Sequence, residues 1–179
     1  MPSKTIRRFL SFACGVLGCV SAMAGGTEDN VTSKKADIAA LVQGRVSDAR
    51  EPALLIIDNP QSWRQALARY FTATDSWVSV TLFEPGTEHR QDSTLSADSP
   101  PPLDLASHVA LGVFAGLLED GAPWVNIERV TIDGATASVC FTVTENLPTA
   151  RAVKNPSPFA FIFINRPERT IENIRRACR

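Results

Sequence analysis

Histidine is nearly missing from this 179-residue chain, which has only His89 and His108. They do not stand at a metal-ligand spacing, and no Cys-x-x-Cys occurs, so no zinc motif is present. A glycine-rich phosphate loop and a G-x-S-x-G elbow are also lacking, which removes the usual nucleotide and α/β-hydrolase signatures. Basic excess is absent: 18 Lys and Arg face 19 Asp and Glu, whereas a nucleic-acid binder normally carries a positive patch or stripe. No apolar stretch reaches the roughly 20 residues that span a bilayer. The sequence shows no internal repeat and no low-complexity tract. These absences lead us to expect no cofactor, no metal, no nucleic acid and no transmembrane segment.

What is present begins with an export signal. Lys4, Arg7 and Arg8 precede the apolar run Phe9 to Val20, and Ala22-Met23-Ala24 offers a signal-peptidase site. Residues 1–24 therefore read as a signal peptide and the protein as periplasmic. A cut before Cys19, in Val16-Leu17-Gly18-Cys19, is the alternative and would leave a lipid anchor. Cleavage after Ala24 leaves 155 residues, enough for one domain with a substantial core. It also leaves 15 basic against 19 acidic residues, a net charge of −4. Two cysteines remain, Cys140 and Cys178, and an oxidising compartment favours their pairing. Closing that loop of about 39 residues is worth roughly 3–4 kcal/mol in the loop-entropy model.

Residues 25–50 read as a flexible leader with a short helix over Ala36 to Gln43, where Ile38, Leu41 and Val42 fall at helical spacing. Leu54–Ile57 reads as a buried strand. Asn59 then caps a helix with Pro60 at its first position and an apolar stripe of Trp63, Ala66, Leu67 and Tyr70. Trp77–Phe83 alternates as a strand. Glu84 to Pro102, polar with one large aliphatic residue, reads as a long loop that is either functional or, in the plainer reading, disordered. Further strands are expected at His108–Phe114, Trp124–Asp133, Thr136–Thr144 and Phe159–Ile164, with a hairpin turn at Asp133-Gly134. A closing helix at Glu168–Ala177 would carry Ile171, Ile174 and Cys178 on one stripe and bring Cys178 to Cys140. The fold class expected for residues 51–179 is α+β, a largely antiparallel sheet covered by two or three helices.

Three polar groupings carry candidate chemistry. Asp104, Ser107 and His108 lie close enough in sequence for a nucleophile and its base. Glu84 and Glu88 are a candidate carboxylate pair, and Glu119-Asp120 beside Trp124 a candidate sugar or cation site. Each has a plainer reading as solvated loop polarity, and an enzyme is disfavoured.

The runs VALGVFAG, GAPWVNIERV, ATASVCFTV, then Pro148 and PFAFIFI, resemble the C-terminal domain of the protease-complex subunit PrcB family. LLIIDNPQSWRQAL resembles that family's upstream strand and helix. Gly121-Ala122-Pro123-Trp124 departs from the family's glycine-glycine-tyrosine turn, keeping one glycine and an aromatic. The resemblance implies a small α/β domain that associates with other extracytoplasmic proteins, in some members a protease, and implies no catalytic residues.

Three functions follow as expectations. One is a non-catalytic exported module that binds a partner protein, such as a protease or hydrolase. Its surface would be the rim of Gly121, Pro123 and Trp124 with the loop Leu147 to Pro158, bearing Arg151 and Lys154. Trp124 is the natural anchor, because aromatics and arginines dominate interface energetics. Another is an inhibitor or immunity protein for an exported enzyme. The last is a hydrolase using Asp104 and His108.

Overall fold

The computed structural model describes residues 34–72, 76–144 and 152–178. The chain divides into Met1–Asn30 and a compact unit, Val31–Arg179. The signal peptide, Cys19, the first part of the leader and Arg151 lie outside the described residues.

A six-stranded sheet forms the middle of the unit. Its strands are β2 (Ile38–Gly44), β3 (Ala53–Ile57), β4 (Ser76–Glu84), β5 (Thr87–Leu95), β6 (His108–Phe114) and β9 (Phe159–Asn165). Their order is β3-β6-β9-β2-β4-β5, and every neighbouring pair is antiparallel. A four-stranded sheet lies on one face: β1 (Lys34–Lys35), β7 (Trp124–Asp133), β8 (Thr136–Thr144) and β10 (Asn173–Arg176), in the order β1-β7-β8-β10. Its last pair, β8 with β10, is parallel.

The helix α1 (Pro60–Tyr70) covers the other face of the six-stranded sheet. Asn59 caps it through Oδ1, which accepts from the amides of Gln61 and Ser62, and Ser62 Oγ accepts from the Asn59 amide. Trp63, Ala66, Leu67 and Tyr70 are its buried residues, the stripe expected from the sequence.

Strand β9 explains the three layers. Phe159, Phe161 and Phe163 point to the α1 side, where Trp63 stands 4.9 Å from Phe161 and Tyr70 stacks 4.2 Å from Phe114. Ala160, Ile162 and Ile164 point to the four-stranded sheet, against Val125, Val130, Val139 and Phe141. A strand buried on both faces has no polar alternation, hence the unbroken run PFAFIFI.

Three expectations are corrected. The helix expected over Ala36 to Gln43 is instead strand β2. A bulge between Ile38 and Ala40 shifts the alternation, so Ile38 and Leu41 both pack towards the four-stranded sheet at a three-residue spacing. That spacing imitates a helical stripe. The loop Glu84 to Pro102 contains β5, paired with β4 along its whole length. Its Thr87 to Thr94 are exposed, because an edge strand with no cover on either face needs no apolar residues.

The closing helix over Glu168–Ala177 is replaced by β10. Asn165 ends β9, and Arg166 ties the following turn down by donating to the carbonyls of Asp58, Leu105, Ala106 and His108. Among the described residues α1 is therefore the single helix, not one of two or three, and the fold is mostly β with an antiparallel sheet at its centre. The Cys140–Cys178 disulfide is present, delivered by the parallel β10 instead of a helix, with 4.6 Å between the Cα atoms.

Candidate functional site

One end of the unit collects the sequence-predicted rim. The chain leaving β6 runs beside the segment entering β9. Ala115 N–H donates to Pro158 O, Leu118 N–H to Pro156 O, and Asn155 N–H to the Asp120 carboxylate. Gly121 and Val153 then exchange two backbone hydrogen bonds, of 3.1 and 2.6 Å, as an isolated antiparallel bridge. The 121–124 turn and the segment before Pro158, far apart in sequence, are thus neighbours.

Within this rim the predicted residues differ in accessibility. Ala122 and Pro123 are buried, Gly121 and Trp124 are half-buried, and Lys154 is exposed. Trp124 opens β7 opposite Thr144, whose hydroxyl donates to the Trp124 carbonyl. Asn155 sits at φ 48°, in the left-handed region that asparagine tolerates, and turns the segment towards Asp120.

Sequence reasoning missed the two most exposed large apolar side chains among the described residues, Trp77 at 77% and Leu117 at 54%. Leu117 lies in the same rim, its amide donating to Arg50 O. Trp77 is on the face of β4 that carries Ser79, Thr81 and Phe83. Register places Gln43 of β2 opposite Ser79 on that face, and the Gln43 side-chain amide donates to Val125 O, next to Trp124. Trp77, Trp124 and Leu117 therefore belong to one end of the sheets. The signal for Trp77 was available: a tryptophan alternating with hydroxyl residues is out of place on a face meant for the core.

Why Trp77 and Phe83 are exposed follows from strand number. The four-stranded sheet packs β10 on β3 and β7 on β2 and β9. Strands β4 and β5 extend past it, so Trp77 and Phe83 stay exposed while Val78 and Val80, on the α1 side, are buried. Ser79 and Thr81, between Trp77 and Phe83 on the same face, are buried, and the Ser79 hydroxyl has no hydrogen-bond partner among the described residues.

The remaining candidates resolve into turn chemistry. Ser107 Oγ lies 3.0 Å from His108 Nδ1, so those two do meet. The same nitrogen, however, is 3.0 Å from the Asp104 carbonyl, and the Asp104 carboxylate accepts from the Ala106 amide. A relay needs the carboxylate on the far ring nitrogen, orienting the base. Here it caps a turn. Glu84 and Glu88 point to opposite faces of the β4–β5 hairpin, since Glu84 pairs with Thr87 and Glu88 with Phe83, one step apart in the alternation. Asp120 is engaged by Asn155, as above.

Glu128 is the extra residue of a bulge in β7, and its carboxylate stands 3.1 Å from Cys140 Sγ. The grouping Glu128, Cys140 and Cys178 resembles a ligand set, but the two sulfurs are bonded to each other and offer no thiolate. Among the described residues no helix is long and apolar enough to cross a membrane. Comparison of the chain with protein-family models, with curated proteins and with solved structures returns no match.

Proposed function

We propose that the protein is a non-catalytic, exported module that works in the periplasm by holding a partner protein, such as a protease or another hydrolase. The observation that carries this reading is the exposed apolar residues at one end of the strands: Trp77 stands in water on β4, and Leu117 on the rim that holds the half-buried Trp124 and the bridge Gly121–Val153. A rigid end of this kind, built on strands and cross-braced by backbone hydrogen bonds, presents aromatic anchors at little entropic cost. The sequence resemblance to the PrcB family, whose members associate with extracytoplasmic proteins, points the same way. The disulfide fits an oxidising compartment.

Site-specific photocrosslinking in exporting cells tests the reading. A photoreactive residue at position 77, 117 or 124 should yield one shared adduct with another protein, while position 175 on β10 should not. Equal labelling at all four positions, or none, would contradict it. Whether the captured partner loses activity on binding then separates a holding module from an inhibitor or immunity protein.

A further inference from the structure

The six-stranded sheet ends at β5, and nothing among the described residues pairs with the outer edge of that strand. We infer that this edge pairs with β5 of a second copy of the chain, antiparallel, about a two-fold axis at Gln91.

The backbone supports this first. Thr87 pairs with Glu84 across the two-residue turn Pro85-Gly86, where Gly86 takes φ 81°. The pair that closes such a turn is hydrogen-bonded, and hydrogen-bonded and non-bonded pairs then alternate along an antiparallel ladder. Residues 87, 89, 91, 93 and 95 therefore spend their N–H and C=O groups on β4. Residues 88, 90, 92 and 94 turn theirs outward. The outward row is long, about 30 Å for the nine residues of the strand.

Side chains then select one partner and one register. Along Thr87–Leu95 the charges read Glu88, Arg90, Asp92, all exposed and all on the face of Trp77 and Phe83. Among the described residues no hydrogen bond or ion pair engages the side chains of Arg90 or Asp92. A two-fold axis at Gln91 sets Arg90 opposite Asp92 of the second copy, and Asp92 opposite its Arg90. It also sets Glu88 opposite Thr94 and overlaps all nine residues. With Thr94 opposite Glu88 by symmetry, these are four pairs of outward-facing residues, so each can exchange two backbone hydrogen bonds.

Neighbouring registers fail. An axis at residue 90 sets arginine against arginine, and one at residue 92 sets aspartate against aspartate, and like charges directly opposite are destabilising. An axis at 89 or 93 runs the turn or the strand end off the partner. Charged edge strands often serve only to discourage pairing. Here the axis at Gln91 sets each Arg90 against an Asp92 and each Glu88 against an uncharged threonine, an order that general repulsion does not require. Pairing would join two six-stranded sheets into one of twelve strands and place Trp77 and Phe83 of both copies on a single continuous face. The contact is isologous and closes at two copies.

Analytical ultracentrifugation of the purified protein at low salt tests this. At about 100 μM, enough to populate complexes of micromolar affinity, the wild type should sediment as a dimer. Asp92→Arg should raise the dissociation constant at least about 30-fold, because two attractive pairs become two repulsive ones. Arg90→Asp should do the same. The double variant Arg90→Asp/Asp92→Arg restores complementarity and should restore the dimer. All of these side chains are exposed, so folding should be unaffected, and circular dichroism checks it. Gln91→Cys should crosslink two copies on oxidation, since facing Cα atoms in a non-hydrogen-bonded pair lie about 4.5 Å apart, within disulfide reach. A monomeric wild type at that concentration overturns the proposal. So does a dimer whose charge-swapped form stays monomeric while each single variant still dimerises.

Discussion

Replacing Gly44 by alanine should loosen the core where β2 ends. A Cβ there would lie 2.6 Å from two atoms of the Phe159 ring and 3.2 Å from the Trp77 carbonyl. The ring cannot swing away, because Phe159 is fully buried, with Phe71 at 4.8 Å, Phe161 at 5.7 Å and Phe114 at 6.0 Å. Forcing a methyl into such packing costs about 1–3 kcal/mol. The stiffer unfolded chain of the alanine variant returns about 0.4–1 kcal/mol of that. A net loss of about 1–2 kcal/mol should lower the melting temperature by roughly 3–6 °C in a unit of this size. Differential scanning calorimetry reads the shift directly. The second arm uses Phe159→Leu. If the ring is the obstacle, Gly44→Ala should cost much less in the Phe159→Leu background than in the wild type, a coupling expected only of residues in contact. A melting temperature unchanged by Gly44→Ala, or strict additivity in the double variant, would refute the packing argument.

Other perturbations follow from the same structure. Cys178→Ser opens a loop spanning 38 positions, and the loop-entropy model puts the loss at about 4 kcal/mol, measurable as a drop in the urea midpoint with a steeper slope, since the unlinked unfolded chain is less compact. Asn59→Ala removes the acceptor for the Gln61 and Ser62 amides and should cost about 1 kcal/mol in the same assay. Ser79→Ala should be neutral or stabilising by up to about 1 kcal/mol, because it deletes a buried hydroxyl with no partner among the described residues. Destabilisation there would reveal a hydrogen bond to that hydroxyl.

Elements whose burial matched their local pattern were legible in the sequence. Helix α1 announced itself through Asn59, Pro60 and a four-residue stripe, and β8 through its alternation and the Asp133-Gly134 turn. The failures share a cause: their local pattern reported something other than their secondary structure. The bulge at Ala39 gave β2 a helical spacing. Strand β5 has two wet faces, so no hydrophobic signal exists to find, and only its threonines hint at extension. Strand β10 is four residues long and owes its place to Ala135, β8 and the disulfide, all remote in sequence. The rim was half legible. A glycine-proline-tryptophan turn drew attention to 121–124, but the bridge from Gly121 to Val153 depends on how β6 and β9 pair, which no local pattern encodes. The alternation of Trp77 with Ser79 and Thr81 hints at an exposed tryptophan, but its exposure is fixed by the four-stranded sheet stopping short of β4.

The claim that the Trp77 end docks a partner is tested most directly by affinity. With the crosslinked partner identified and purified, titration calorimetry should show Trp77→Ala weakening the complex by about 30-fold or more, the loss of at least 2 kcal/mol that marks an interface anchor. Thr170→Ala, an exposed position in the turn before β10, should leave the affinity unchanged. Equal affinities for wild type and Trp77→Ala, with the fold intact, would contradict the account.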